Sequence, residues 1–213
     1  MSATTLRPPR TQTASLNLPP TVMLAGVALI SFSALLLELA LTRLFSVVLY
    51  YHFAFLAISI ALLGLGAGGV FAHLWKTWLG SHDVRTIMAT CSLLNAVLIP
   101  AVLEIVLHMP VALKLSAGNF FRLNAIYLSS AVPFFLTGLQ FSVILARQSS
   151  RVTALYGADL TGGAIACLAV VPLLNSMGAP NAVLFAALVS SVASAVWSQR
   201  SSRRAREIGR AHV

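Results

Sequence analysis

The sequence predicts an all-α membrane protein, a polytopic bundle of about six transmembrane helices, and three observations support this class. Only 9% of the residues are charged, whereas a water-soluble domain of this length carries about a quarter. The mean hydropathy is +0.89. Four long runs contain no Asp, Glu, Lys or Arg: residues 11–37, 44–75, 123–146 and 160–199. An apolar helix needs about 20 residues to cross a bilayer, and a chain in hydrocarbon must satisfy its own backbone, so a helix bundle is expected.

Each predicted span has about the length of one crossing. The spans are residues 21–42, 47–72, 86–108, 122–146, 154–174 and 180–198. The 40-residue run 160–199 is too long for one crossing, and the turn formers from Asn175 to Asn181 predict a tight reversal inside it. Residues 1–20 are polar and rich in proline, which predicts a disordered cytoplasmic tail. Residues 199–206 are predicted to be a basic cytoplasmic linker.

The distribution of Lys and Arg predicts the orientation of the bundle, because these residues favour cytoplasmic loops. If the N-terminus lies in the cytoplasm, three of the 14 Lys and Arg residues lie outside, namely Arg43, Lys114 and Arg122. With Arg210 of the predicted non-native tail set aside, ten lie at cytoplasmic ends: Arg7, Arg10, Lys76, Arg85, Arg147, Arg151, Arg200, Arg203, Arg204 and Arg206. Both termini are therefore predicted to be cytoplasmic. A basic face against anionic lipid accounts for the net charge of +9, so the predicted partner is the lipid bilayer and not nucleic acid.

A glycine-rich segment in the second span resembles a nucleotide-binding motif, but its context excludes that use. Glycines at 64, 66 and 69 satisfy G-x-G-x-x-G, a pattern that binds pyrophosphate only where a strand turns into a helix. Here the motif lies near the end of an uncharged run. Gly64 and Gly68 instead predict close approach of a neighbouring helix, as do Gly162 and Ala166 in the fifth span.

Ionisable residues inside or near the spans are the candidate functional or structural positions, because they are costly in a membrane. They are Glu38, Arg43, His52, Glu104, His108 and Asp159. A five-residue step turns about 140° on a helix, so Glu38 and Arg43 do not share a face and need partners on other helices. Glu38 either orients the bundle through a hydrogen bond or ion pair, or contacts a proton, an ion or a substrate.

The other candidates have simpler interpretations. His52 follows two tyrosines near the outer start of the second span, as interfacial anchors do. Glu104 and His108 are an i, i+4 pair that would bind a metal only with a third ligand, which the sequence does not identify. Asp159 is placed in the first turns of its span, where the helix dipole favours an acid, which suggests a role in packing. Cys91 and Cys167 have neither CxxC nor metal spacing. No catalytic, cofactor or metal site is predicted.

Two stretches carry a family resemblance. Residues 37–69 are LELALTRLFSVVLYYHFAFLAISIALLGLGAGG, and residues 156–174 are YGADLTGGAIACLAVVPLL. They resemble the membrane-embedded N-terminal region of bacterial spermidine-synthase-like proteins, in which a multi-span bundle precedes a soluble aminopropyltransferase-like domain. The matching pattern positions are Glu38, Thr42, Arg43, Tyr156, Asp159, Gly162 and Pro172.

The resemblance implies a multi-pass module of the bacterial cytoplasmic membrane. Such a module would anchor a cytoplasmic Rossmann-type transferase domain, and would regulate it or supply it with substrate. That domain is absent from these residues, so the transferase activity is expected of a longer parent protein. Residues 207–213, EIGRAHV, match the translation of a common sequencing adapter. We therefore expect a truncated reading frame with a non-native tail.

A second function remains open at the level of sequence. Six spans with prolines at 100, 133 and 172 and with buried acids are also typical of one half of a major-facilitator-type carrier. A carrier half would require a second half or a dimer to complete a site near the bilayer midplane. A homo-oligomer is compatible with either function.

Overall fold

The fold is an antiparallel bundle of long helices, seen in a computed structural model that describes residues 20–48, 54–109 and 117–199. The α-helices are α1 (Pro20–Val48), α2 (Ala54–Leu74), α3 (Lys76–Gly80), α4 (Val84–His108), α5 (Ala117–Arg147) and α6 (Val152–Ser198). A 3₁₀ turn, Ser149–Arg151, precedes α6. Among the described residues, five helices are long and apolar enough to cross a membrane. The predicted all-helical bundle is thereby confirmed.

The last helix is a hairpin of two arms. Its backbone is helical except at Gly178, where φ is 79° and ψ is 169°. Glycine adopts this region readily because it has no Cβ. Gly162 of the first arm (residues 152–177) packs on Ala28 of α1, and Trp197 of the second arm (residues 179–198) packs on Gly26. Both arms therefore return to the same part of α1, and the chain reverses its direction at Gly178.

The first half of α1 and the end of α6 meet at one end of the bundle. Arg85 at the start of α4 donates hydrogen bonds to the carbonyls of Trp197, at 3.4 Å, and of Gln199. Arg147 donates to the carbonyl of Leu79 at 2.9 Å. Cationic side chains on the last carbonyls of a helix complement its dipole. We call this end, where α1 begins and α6 ends, the basic end.

Several predicted boundaries require correction. Helix α1 extends to Val48 instead of ending at 42, so it includes Arg43 and the predicted start of the second span. The interval 43–48 has no helix breaker, and an arginine near a span end can extend to the interface without ending the helix. The reversal predicted over residues 175–181 is confined to Gly178. Helix α3, within the predicted polar connection, was not expected. Apart from Pro20 and Gln199, the predicted tail, linker and adapter-derived segment lie outside the described residues.

The core of the bundle has two apolar layers. One layer, near the basic end, includes Met23, Met88 and Trp197. The other, toward the opposite end, includes Phe45, Val106 and Ala186. Buried polar groups lie between and beside these layers, as in the hydrogen bond of 2.8 Å between the hydroxyls of Ser33 and Ser190. Interhelical polar contacts of this kind join helices where lipid provides no hydrophobic drive for their association.

Close backbone packing joins α2 to α5. A Cβ at Gly64 would lie 2.6 Å from the Ala131 carbonyl oxygen. A Cβ at Gly68 would overlap the carbonyl oxygen of Phe135. The predicted small-residue face of α2 is confirmed by these contacts. In the fifth span, Gly162 packs directly on the backbone of α1, and Ala166 is fully buried. The motif glycines at 64, 66 and 69 all lie within the continuous helix α2.

We expect Gly68→Ala to destabilise the bundle by about 1–3 kcal/mol, because the added methyl group forces α2 away from α5. Gly66 is the matched control, since a Cβ there would meet nothing within 4 Å. Gly66→Ala should be neutral or stabilising by up to about 1 kcal/mol, because alanine favours the helix. Thermal unfolding in detergent compares the two variants. Equal stability of both would contradict the close α2–α5 packing.

Candidate functional site, an acid-lined lateral groove

The candidate site is a groove of about 470 Å³ in the side of the bundle. It lies between α1 and the first arm of α6 on one side and α2 and α5 on the other. Its walls are mostly apolar, and two carboxylates from different helices line it. The lining residues are Ser31, Ala34, Leu35, Glu38, Leu65, Phe134, Thr137, Phe141, Asp159, Leu160, Gly163, Ala164 and Cys167. A mainly apolar pocket of this size with few polar groups is typical of ligand sites.

Glu38 lines the groove without a side-chain partner. It is partly buried, and its backbone carbonyl accepts a hydrogen bond of 2.8 Å from Thr42. Across residues 20–48, 54–109 and 117–199, no side chain pairs with the Glu38 carboxylate. The interpretation of Glu38 as one half of a structural ion pair therefore has no support among these residues.

Asp159 accepts a hydrogen bond of 2.5 Å from the Ser31 hydroxyl of α1, and Ser31 also donates to the Val27 carbonyl at 3.1 Å. The predicted dipole contribution is wrong, because α6 begins at Val152 and its first turn contains no acid. The stabilising effect of the dipole decays within the first turn. Asp159 is held by Ser31 instead, and it faces the same groove as Glu38.

Behind the groove wall, α4 and α5 share two rungs of buried polar side chains. The Asn95 amide donates to the Thr137 hydroxyl at 3.3 Å, and Thr137 donates to the Pro133 carbonyl at 3.0 Å. One turn further, the Gln140 amide donates to the Ser92 hydroxyl at 2.8 Å and to the Met88 carbonyl at 3.0 Å. Thr137 also lines the groove, so it connects the groove to this buried ladder.

The ladder leaves two acceptors without a partner. The side-chain carbonyl oxygens of Asn95 and Gln140 have no hydrogen-bond partner among the described residues. Asn95 is 5% exposed and Gln140 is 1% exposed. An unsatisfied buried acceptor costs about 1–3 kcal/mol. The buried hydroxyls of Tyr127 and Ser130 on α5 also have no partner among the described residues, so this side of the bundle holds unsatisfied donors as well as acceptors.

Arg43 lies away from the groove, in agreement with the prediction that Glu38 and Arg43 do not share a face of their helix. It is exposed and lines a second cavity, of about 460 Å³, at the end of the bundle opposite the basic end. Val48, Leu174 and Gly178 also border this cavity. Glu38 and Arg43 therefore face different parts of the bundle, and the structure does not bring them together.

The remaining candidates do not join a site with the groove. Glu104 and His108 form the expected i, i+4 pair, with 3.1 Å between His108 Nδ1 and Glu104 Oε1, but their side chains are 71% and 73% exposed. An exposed pair of this kind contributes little stability. Within the described part of the chain, no group of three His, Cys, Asp or Glu could hold a metal. His52 lies outside the described residues.

Sequence reasoning missed the uncharged polar residues of the groove and of the ladder behind it. Ser31, Asn95, Thr137 and Gln140 lie in apolar stretches, where a single uncharged polar residue does not stand out. A signal was nevertheless present, since Ser92 and Asn95 on α4 share the i, i+3 spacing of Thr137 and Gln140 on α5. Polar residues at matched helical spacings can form rungs between two helices. The pairing of the two helices could be recognised only in the fold.

We expect Glu38→Gln to change the free energy of unfolding by less than about 0.5 kcal/mol, because it leaves no counter-charge uncompensated. A true buried ion pair would lose about 3–5 kcal/mol. Glu104→Gln is the control, since it removes an exposed carboxylate from another helix. Thermal unfolding in detergent measures both variants. A large loss in Glu38→Gln alone would reveal a cationic partner for Glu38.

Comparison of the chain with protein-family models, with curated proteins and with solved structures finds no match. The acid-lined groove, and the meeting of the start of α1 with the end of α6 at the basic end, therefore carry the functional argument.

Proposed function

We propose that this chain is an integral membrane module of a spermidine-synthase-like protein, embedded in the bacterial cytoplasmic membrane by six crossings. In this proposal both termini face the cytoplasm. The module anchors a cytoplasmic Rossmann-type transferase domain and regulates it or supplies it with substrate.

The single observation that carries the anchoring role is the shared end of α1 and α6. Gly26 near the start of α1 contacts Trp197 near the end of α6. Arg85 and Arg147 hydrogen-bond to helix carbonyls at this end. The bias of Lys and Arg in the sequence favours the cytoplasm for the same end. A domain that follows residue 199 would then lie on the cytoplasmic side, beside the basic face.

The family assignment rests on the motifs in residues 37–69 and 156–174. Glu38 and Asp159, which belong to these separate motifs, line one groove. A shared groove gives the two motifs a common physical setting, because both stretches are needed to form it. This juxtaposition supports the proposal that the membrane module has a role beyond attachment.

The groove also favours a second candidate, one half of a major-facilitator-type carrier. Acids inside membrane bundles are typical of substrate and ion pathways. The uninterrupted genomic reading frame beyond Arg206 separates the two functions. A soluble Rossmann-type domain in that frame would support the membrane module. Six further spans would support the carrier and overturn the leading proposal.

Reporter fusions test the orientation. Fusions after Arg151 and after Arg206 should report the cytoplasm, and fusions after Ser176 and within residues 110–116 should report the periplasm. The reason is that ten of the 13 assigned Lys and Arg residues lie on the side that is predicted to be cytoplasmic. A fusion after Val48 is a further control and should be periplasmic. A periplasmic signal after Arg206 would contradict the model of six crossings with both termini inside.

A further inference from the structure

We propose that the acid-lined groove binds an organic ammonium ion with an apolar body, such as a protonated lipophilic amine. This site requires that the bundle lies in a bilayer, as proposed above, but does not depend on the identity of any domain beyond residue 199.

The shape and the walls of the groove favour a small amphiphile. Its volume of about 470 Å³ is sufficient for a molecule of moderate size. Leu35, Leu65 and Phe134 supply apolar surface from three helices, and Leu160 and Phe141 extend it. Because the groove opens through the side of the bundle, a hydrocarbon body can enter it from the surrounding lipid.

The acids of the groove favour a cation from another molecule. The lining contains Glu38 and Asp159 but no Lys, Arg or His. A carboxylate in an apolar setting is costly unless it is paired. The runs 11–37, 44–75, 123–146 and 160–199 contain no Lys or Arg, so the spans of this chain offer few cations at this depth. Charge complementarity therefore favours a ligand that brings its own positive charge.

The buried ladder behind Thr137 connects the groove wall to the polar contacts between α4 and α5. Asn95 Oδ1 and Gln140 Oε1 are unpartnered acceptors in side chains that are more than nine-tenths buried. Thr137 is hydrogen-bonded to Asn95 and also lines the groove. In a medium of low dielectric constant, the two carboxylates of the groove attract a positively charged donor.

The positions of the acids favour an ammonium ion over a chelated metal. Ser31 and Glu38 are seven residues apart on one face of α1, so their Cα atoms are separated by about 10 Å along the helix. Asp159 accepts a hydrogen bond from Ser31 and therefore lies at the same height in the bundle as Ser31. The two acids therefore approach the groove at different levels. No third acid, histidine or other metal ligand of the described chain completes a cluster with them.

Cys167 provides a reporter inside the groove. It is a free, exposed thiol that lines the groove, whereas Cys91 is buried. With the full chain in lipid nanodiscs near pH 7, octylammonium should slow the alkylation of Cys167 by N-ethylmaleimide, measured by peptide mass spectrometry. At ten times the Kd the rate should fall about tenfold, because about one tenth of the sites remain free. Octanol has a similar tail without the charge and should not protect Cys167.

Variants separate binding in the groove from a general effect on the bilayer. Glu38→Gln combined with Asp159→Asn should abolish the protection, while Glu104→Gln should retain it. Ala164→Phe keeps both charges but fills the groove, and it should also abolish the protection. Thermal unfolding shows whether each variant is folded. It provides a second readout as well, since octylammonium should raise the Tm of the native chain and of Glu104→Gln only.

The outcomes are distinct. Equal protection by octylammonium and octanol would overturn the proposal, since the site would then be apolar only. Protection that survives in the folded acid variants would place the amine elsewhere and would also overturn it. If Cys167 does not react with N-ethylmaleimide, the Tm decides. A Tm of the native chain that octylammonium does not raise would also overturn the proposal. None of these results depends on the reporter fusions, so the site and the proposed orientation can fail separately.

Discussion

The double contact of α1 with the two arms of α6 is the interaction on which the rest of the fold depends. Gly162 packs on the backbone at Ala28, Trp197 packs on Gly26, and Ser33 hydrogen-bonds with Ser190. In lipid there is no hydrophobic drive between helices, so close van der Waals packing and interhelical hydrogen bonds must hold them together. Small residues make both possible, because they let the backbones approach. The reversal at Gly178 then allows one helical segment to enclose α1 from two sides.

This arrangement creates the groove. Helix α1 packs mainly with α6, whereas α2 packs mainly with α5. The first arm of α6 is held by α1 and does not close against α2 and α5, so a lateral opening remains between the two helix pairs. Glu38 and Asp159 project into this opening from α1 and α6. The groove is therefore a consequence of strong pairing elsewhere and not a defect in an otherwise continuous core.

Polar residues in the bundle are distributed unevenly in a way that bears on function. Ser33, Ser190 and Ser194 are paired across helices and join them. The ladder of Asn95, Thr137 and Gln140 is only partly satisfied, and Glu38 has no partner in the described part of the chain. A fully satisfied network favours a unique structure, while unpaired acceptors leave binding capacity for another group. Glu38 and Asp159 line the groove, where they support a cationic ligand.

The sequence by itself determined the helical class, because charge-free runs of this length must satisfy their backbone groups within helices. It also located the close-packing glycines and the ionisable residues that line the groove, since both stand out in an apolar chain. It did not determine that Asp159 meets Ser31, that Thr137 connects the groove to Asn95, or that Glu38 and Arg43 face different cavities. Those relations depend on which helices become neighbours and on their rotation. Local periodicity cannot specify either, because contacts between residues more than 100 positions apart set them.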